Sequence, residues 1–583
     1  MEASKPKFLG ACLFALLLFC PVVESRRFAV DGVNGGVYCV ACTAVAALTN
    51  QLSVIHNETF VKSFDRLCKL LPTEIYQNAC LSLGKYYIPK IIDIITDDVT
   101  ADVICHAIDL CYTDEGYPTC HAFPPKGDFN LAVETAKKKI AMQEFRIKVK
   151  RNISPQSPHF DPCTLPGVDR LCNLFDRIFN NHHPLIDVDN DYFSSVSEAW
   201  RGTSWRGRDC DDFDPLTHPG AIDHGDLILD KNCNGIWGYD PETGKSFEEL
   251  LCKDTGNLGL IVLGDSVAAH FRIPPQWLTA RDLNEEVFSH APFIVANEAD
   301  WPQLSLYTGF LSNINWAVEK GNATSIYLKL AARNRCNHRD YQNLAKNGAD
   351  SFDVNNILIK SLTRDHNRDH PALVFYSLVG NDVCNKYHSL DHMTTADQMR
   401  VNMRKTLDTL EARLPRGSHV VAVGMVDGRI LYDSLHNRIH PIGKLRGDVT
   451  YAQFYDFLNC VHVSPCFGWM NTNETIRNLT TQRALELTAV MKEVATQATN
   501  YTNIDVHFFH NPFFKVIKDW MDSGHEVWEL IEPTDGFHPN LQAESLVAEE
   551  SWRLLETEIP HVLGKVNPNN DRIRELFGDQ GGY

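Results

Sequence analysis

Beyond residues 8–20 the sequence has no comparable long apolar run, it carries no excess of positive charge, and the region around Cys39-x-x-Cys42, residues 38–120, offers no second tight Cys or His pair. The first absence argues against a membrane anchor, since the run at 8–20 is itself short for spanning. The second excludes nucleic acid as a partner, because a formal net charge of -19 repels a phosphate backbone. The third argues against a zinc finger, which needs two ligand pairs.

What is present points to export. Lys5 and Lys7 precede the apolar run, and Pro21, Glu24 and Ser25 follow it, the layout of a signal peptide over 1–25 with a short propeptide at 26–37. Of 18 cysteines, Cys12 and Cys20 fall in the signal, so an even number remains for pairing in an oxidising compartment. Sequons at Asn57, Asn152, Asn322, Asn473, Asn478 and Asn500 are glycan acceptors suited to that compartment. A basic island, Lys137, Lys138, Lys139, Arg146, Lys148, Lys150 and Arg151, runs into the Ser/Pro-rich stretch 154–158. Either it is a solvated helix face, or the linker 124–160 is cut near Arg151 by a subtilisin-like protease.

Residues 38–123 carry Cys39, Cys42, Cys68, Cys80, Cys105 and Cys111 among apolar helical stretches such as 43–52 and 91–108. Six cysteines allow fifteen pairings, and spacing alone does not choose among them. The region resembles a saposin-type domain. That resemblance implies Cys39 with Cys111, Cys42 with Cys105 and Cys68 with Cys80, and amphipathic helices that grip lipid tails or lie on a membrane or micelle surface; a plain structural cap is the alternative. Cys120 is left over, and pairing it with Cys460, or else Cys466, would keep two chains joined after cleavage.

Residues 161–252 have too few apolar side chains to fold by burial alone and are crowded with carboxylates. Asp187, Asp189 and Asp191 alternate, and Glu198 stands twelfth from Asp187, where an EF-hand loop places its bidentate ligand. Tyr192 occupies the sixth position, which calls for Gly, and that argues against a standard loop. Asp209, Asp211, Asp212 and Asp214 repeat the spacing, Asp223 and Asp226 follow, and Asp230, Asn232 and Asn234 repeat it with Gly235 in register. Hard oxygen ligands without His pairs favour calcium in a structural role, braced by Cys210 and Cys233.

Residues 253–583 alternate buried-strand patterns (258–263, 372–376, 420–424, 504–508) with helical ones (396–414, 481–495), which predicts a doubly wound parallel sheet with its site beyond the strand carboxyl ends. Gly264-Asp265-Ser266 follows the first strand and opens a helix, exposing a Ser hydroxyl at a helix N-terminus. Asp535-Gly-Phe-His538 precedes the last helix, beginning near Asn540, and supplies a base with its orienting carboxylate. Gly380-Asn381-Asp382 ends another strand and aims an amide at the same cleft. Asp265 and Asp382 are expected to brace their turns, His270 to pack behind the site, and Cys336 and Cys384 to form a disulfide rather than act as nucleophiles.

These blocks, in this order, resemble the SGNH or GDSL hydrolases. The resemblance implies Ser266 as nucleophile, His538 as base, Asp535 as orienter, and an oxyanion hole of the Ser266 and Gly309 amides with the Asn381 side chain, Gly309 being taken as the second block. Val267 stands where the family name has Leu, which concerns packing. The fold class is thus α/β, a parallel-sheet hydrolase joined to an all-α saposin-type domain and a calcium-binding loop region. That combination resembles secreted or endolysosomal lipopolysaccharide deacylases. It implies removal of secondary, ester-linked acyl chains from lipid A, and disulfide-linked small and large subunits cut from one precursor. A broader phospholipase or acylglycerol lipase, a small-ester deacetylase and a lipid-transfer protein are the alternatives.

Overall fold

The sheet is built from runs that bury every side chain. In the computed structural model, which describes residues 32–95, 99–151, 168, 170, 183–197, 200–384 and 388–583, strands β1 (Gly259–Gly264) and β5 (Ala372–Ser377) are buried throughout. They pair in parallel with each other and with β4 (Tyr341–Asn343), β6 (Ser418–Val423) and β7 (Ile504–Phe509), in the order β4-β1-β5-β6-β7. A two-stranded hairpin, β2 (Ile314–Asn315) with β3 (Lys320–Gly321), stands apart. Helices Ala396–Arg413 and Glu474–Gln497 lie against one another beside the sheet, the first opened by a Thr395/Gln398 capping box. The helix Leu541–Glu558 starts at its Asn540 cap as expected, but Asn570–Phe577 follows it, so it is not the last.

The N-terminal unit comprises helices Gly36–His56, Phe60–Lys69, Glu74–Ile91 and Ala101–Ala107. Among the described residues of the apolar stretch 91–108, helix is found at Ile91 and over Ala101–Ala107. Gly36–His56 is long and apolar enough to cross a membrane, yet most of its residues are buried among the other helices. Disulfides Cys39–Cys111, Cys42–Cys105 and Cys68–Cys80 join these helices, and Cys120–Cys460 ties them to the hydrolase. Of the two readings of the basic island, the helix face is what forms, and it reaches into the segment expected as linker: Phe129–Arg151 is a helix whose Ala136 and Ile140 pack with Ile91, Val103 and Ile104. Lys137 and Lys138 pair with Asp109 and Glu134. Cys336 and Cys384 do not bond each other. They pair with Cys252 and Cys466, because separate loops bring those partners to them.

The N-terminal unit docks beside the catalytic half rather than hanging free. Gln51 donates to the Ile442 carbonyl at 2.6 Å, Arg446 to Asn50 at 3.0 Å, and the Val33 amide to the Val461 carbonyl at 3.0 Å. Asn57, Asn322, Asn473, Asn478 and Asn500 are exposed. The signal peptide, propeptide residues 26–31, Asn152, the linker beyond 151, and Glu198 lie outside the described residues.

Candidate active site

Ser266 is placed by its turn. β1 ends at Gly264, where an added Cβ would stand 2.4 Å from Ala268, so the strand turns tightly into the short helix Ser266–Ala269. Asp265 holds the turn as its cap: its carboxylate accepts the Val267 amide at 3.1 Å and, across the cleft, the Val379 amide at 2.7 Å. Burial pushes the Asp265 carboxyl up to about 6, against those amide bonds. Asp382 braces the neighbouring turn in the same manner, accepting from the Ser351 hydroxyl at 2.6 Å and its amide at 3.1 Å. Neither Asp touches the Ser266 hydroxyl.

The base arrives from a bonded loop between Ile531 and Pro539. His538 Nε2 lies 2.7 Å from Ser266 Oγ, and its Nδ1 lies 2.6 Å from Asp535 Oδ2. Asp535 Oδ1 accepts the amides of Phe537 at 2.8 Å and His538 at 3.1 Å, so one carboxylate fixes both the imidazole and the backbone that carries it. Phe271 and Phe537 enclose the ring. Ser266, Asp535 and His538 are all buried, which strengthens each of these contacts.

The loop is held from outside. Tyr455 donates its hydroxyl to the Gly536 carbonyl at 2.7 Å, Tyr451 to Pro533 at 2.5 Å, and the fully buried His440 contacts the Thr534 carbonyl through Nε2 at 2.8 Å. Arg272 bonds Glu532 at 2.8 Å. Gly536 turns at φ 62°, and a Cβ there would lie 2.5 Å from the Tyr455 hydroxyl. His270 is buried and meets Glu544 at 3.1 Å rather than the nucleophile. Burial pushes its pKa down, but the charge and contact of Glu544, with the Glu532 charge, together outweigh this and leave it raised.

The expected oxyanion donors divide. Asn381 lines the cavity with Ser266 and His538, its amide Nδ2 also reaching the Ala349 carbonyl at 3.2 Å. Gly309 does not join them. Its N–H donates to the Ser305 carbonyl at 2.8 Å and its Cβ position is walled by Leu304 and Ser305, so the amide is already used in its own turn. The sequence reading passed over Gly348, which is exposed at φ 72° just after β4, beside Ala349, and whose N–H donates to none of the described residues. Gly348 stands five residues beyond β4, and that strand, only Tyr-Gln-Asn, has no apolar pattern.

Beyond the triad opens a cavity of about 400 Å³, within the range of small-molecule pockets, roughly 300–1,000 Å³. Its walls are mostly apolar, Val426, Trp469, Phe513, Ile517, Leu530 and Phe537 among them, with Arg429 and Arg477 on the lining as well. A second apolar cavity, about 100 Å³, lies inside the N-terminal helices between Phe64, Leu83, Tyr87 and Ile104.

The acidic loops form two frames of the same shape. In the first, Asn190 and Tyr192 take positive φ, and the Tyr192 amide donates to Asp187 at 3.0 Å; in the second, Cys233 and Gly235 do so, and the Gly235 amide donates to Asp230 at 2.8 Å. Tyr192 thus adopts the turn that favours Gly. Asp187, Asp189 and Asp191 converge, as do Asp189, Asp209 and Asp212, each set within 4.8 Å. Buried oxygens of Asp189, Asp191 and Asp209 have no hydrogen-bond partner. Burial, then neighbouring carboxylates, pushes Asp191 up to about 8 and Asp209 to about 7. These residues fit a hard cation. Around the second frame Asn232 and Asn234 both reach the buried Glu248, at 3.0 Å each; Glu248 escaped notice because it lies beyond a twelve-residue loop counted from Asp230. Asp214 departs from the expectation because Lys231 takes its carboxylate at 2.8 Å. Asp211 is exposed, and the carboxylates of Asp223 and Asp226 accept backbone amides of their own turns.

Two family models match this chain: a saposin-like domain over residues 38–173 and a GDSL-like Lipase/Acylhydrolase over residues 260–551. Acyloxyacyl hydrolase of Oryctolagus cuniculus is 42% identical over 577 residues, covering 97% of this chain and 98% of the rabbit protein. The mouse protein of that name, from Mus musculus, is 42% identical over 95% of each chain, and the Homo sapiens one 41% over 94% of each. With so much of both lengths aligned, the chain belongs to the acyloxyacyl hydrolase family.

Proposed function

We propose that this hydrolase releases secondary, acyloxyacyl-linked fatty acyl chains from lipid A of bacterial lipopolysaccharide through an acyl-enzyme on Ser266. The observation that carries the reading is the Ser266–His538–Asp535 chain of contacts opening onto an apolar cavity. His538 takes the Ser266 proton as the oxygen attacks the ester carbonyl, Asp535 stabilises the imidazolium, and the imidazolium gives that proton to the hydroxyl oxygen of the primary chain as the ester C–O bond breaks. The oxyanion is held by the Ser266 amide, the Asn381 side chain and, in place of Gly309, the Gly348 amide. Water, activated by His538, then frees the fatty acid.

The apolar walls favour a long acyl chain over acetate, and the cavity within the saposin-like helices supports a role in gripping lipid at a membrane or micelle surface. The acidic loops bind structural calcium: Asp187, Asp189, Asp191, Asp209 and Asp212 supply one group of oxygens, Asp230, Asn232, Asn234 and Glu248 another. Chain cleavage after the helix ending at Arg151 would leave two subunits held by Cys120–Cys460. A signal peptide directs the precursor to the secretory pathway, toward secretion or endolysosomal vesicles.

Incubation with lipopolysaccharide and mass spectrometry of the products tests the substrate. Only secondary fatty acids should appear. Release of primary hydroxyacyl chains, or a preference for acetyl over lauroyl and palmitoyl esters, would refute the assignment.

A further inference from the structure

At the end of the sheet opposite the triad, four side chains with metal-binding chemistry meet on its edge. Asp505 and His507 alternate along β7 and so share one face of that strand. His419 is the register partner of Asp505 across the β6/β7 pairing, and His561 comes from the turn Pro560–Leu563 after the helix Leu541–Glu558. One ligand atom from each lies within 4.8 Å of all the others. His507 Nε2 and His561 Nε2 stand 3.0 and 3.1 Å from the same Asp505 oxygen, Oδ2, and His419 Nδ1 contacts the other, Oδ1.

We propose that His419, Asp505, His507 and His561 form a zinc site that clips the sheet edge to the turn at His561. Three imidazoles and one carboxylate complete a tetrahedral shell, and bonds of roughly 2.0 Å would set neighbouring donor atoms about 3.3 Å apart, close to the 3.0 and 3.1 Å at which His507 and His561 stand from Asp505 Oδ2. Imidazole donors suit zinc and its transition-metal neighbours and not calcium, which takes oxygen, so the site is chemically distinct from the acidic loops. A hydrogen-bonded cluster around Asp505 accounts for His419 and His561. It serves His507 less well: the Nε2 is shielded from solvent and 3.0 Å from the carboxylate, yet outside good hydrogen-bond geometry. A cation between the two would use that lone pair. The half-exposed Asp505 and His561 leave an entry path for the ion.

The test uses the full chain, stripped with chelator, returned to calcium-saturated buffer and titrated with zinc by calorimetry, with elemental analysis of the dialysed product. The wild type should take up one zinc equivalent, and His507→Gln and His561→Gln should each weaken binding by about a hundredfold or more. His561 is the more exposed position, so His561→Gln decides the matter if His507→Gln fails to fold. Substituting cobalt(II) should give the strong visible absorption of a tetrahedral site in the wild type alone. No zinc uptake by the folded wild type, or equal uptake and equal cobalt spectra in His561→Gln, would overturn the proposal.

Discussion

Asp535 does two jobs through its two oxygens, one bonded to the imidazole and the other to the backbone that carries it. Asp535→Asn keeps the size and part of the amide bonding but presents an N–H or a weaker acceptor to Nδ1, favouring the wrong tautomer. A fall in kcat of about ten-thousandfold is expected, with the circular dichroism unchanged, measured on a soluble lauroyl ester. Asn381→Ala removes one oxyanion donor and should lower kcat by roughly a hundred- to a thousandfold while leaving KM nearly unmoved. Gly309→Ala provides the contrast. Its amide serves its own turn, so any defect should appear as lost stability rather than as an isolated fall in kcat.

The catalytic loop depends on neighbouring elements for its shape, and one of its braces titrates. His440 is pushed down to about 4 from 6.5 by burial, so the folded protein holds it neutral while the unfolded chain protonates it near 6.5. Its stabilising contribution is therefore complete above about 6.5 and is lost as pH falls toward 4, a change of ~3 kcal/mol. His440→Gln can still donate to Thr534 but does not titrate. Urea midpoints measured across that window should fall more steeply for the wild type than for the variant. This brace illustrates what the sequence leaves unreadable. Ser266, Asp535, His538 and Asn381 stand at strand ends and helix starts, and those boundaries follow from buried runs and capping residues. His440, Tyr451 and Tyr455 reach the site only through tertiary folding, from a segment whose own pattern gives no sign of the catalytic loop.

Across the whole molecule, ordering forces other than a single core recur. Seven disulfides occur among the described residues, and one of them, Cys120–Cys460, ends the same helix, Tyr451–Cys460, whose Tyr451 and Tyr455 hold the catalytic loop. The acidic loops add like-charged carboxylates that calcium would relieve. Chelation should lower the melting temperature by several degrees, since an ion held at a hundred times its Kd contributes about 2.7 kcal/mol, and it should alter the fluorescence of buried Trp205. Calcium affinity should weaken as pH falls below about 8, where first Asp191 and then, near 7, Asp209 take up protons that compete with the ion. The central claim, that Ser266 deacylates lipid A, is tested most directly by comparing fatty-acid release from lipopolysaccharide by the wild type and Ser266→Ala. The wild type should release secondary acyl chains. The folded variant should bind the lipid and release none, and release at the wild-type rate would contradict the account.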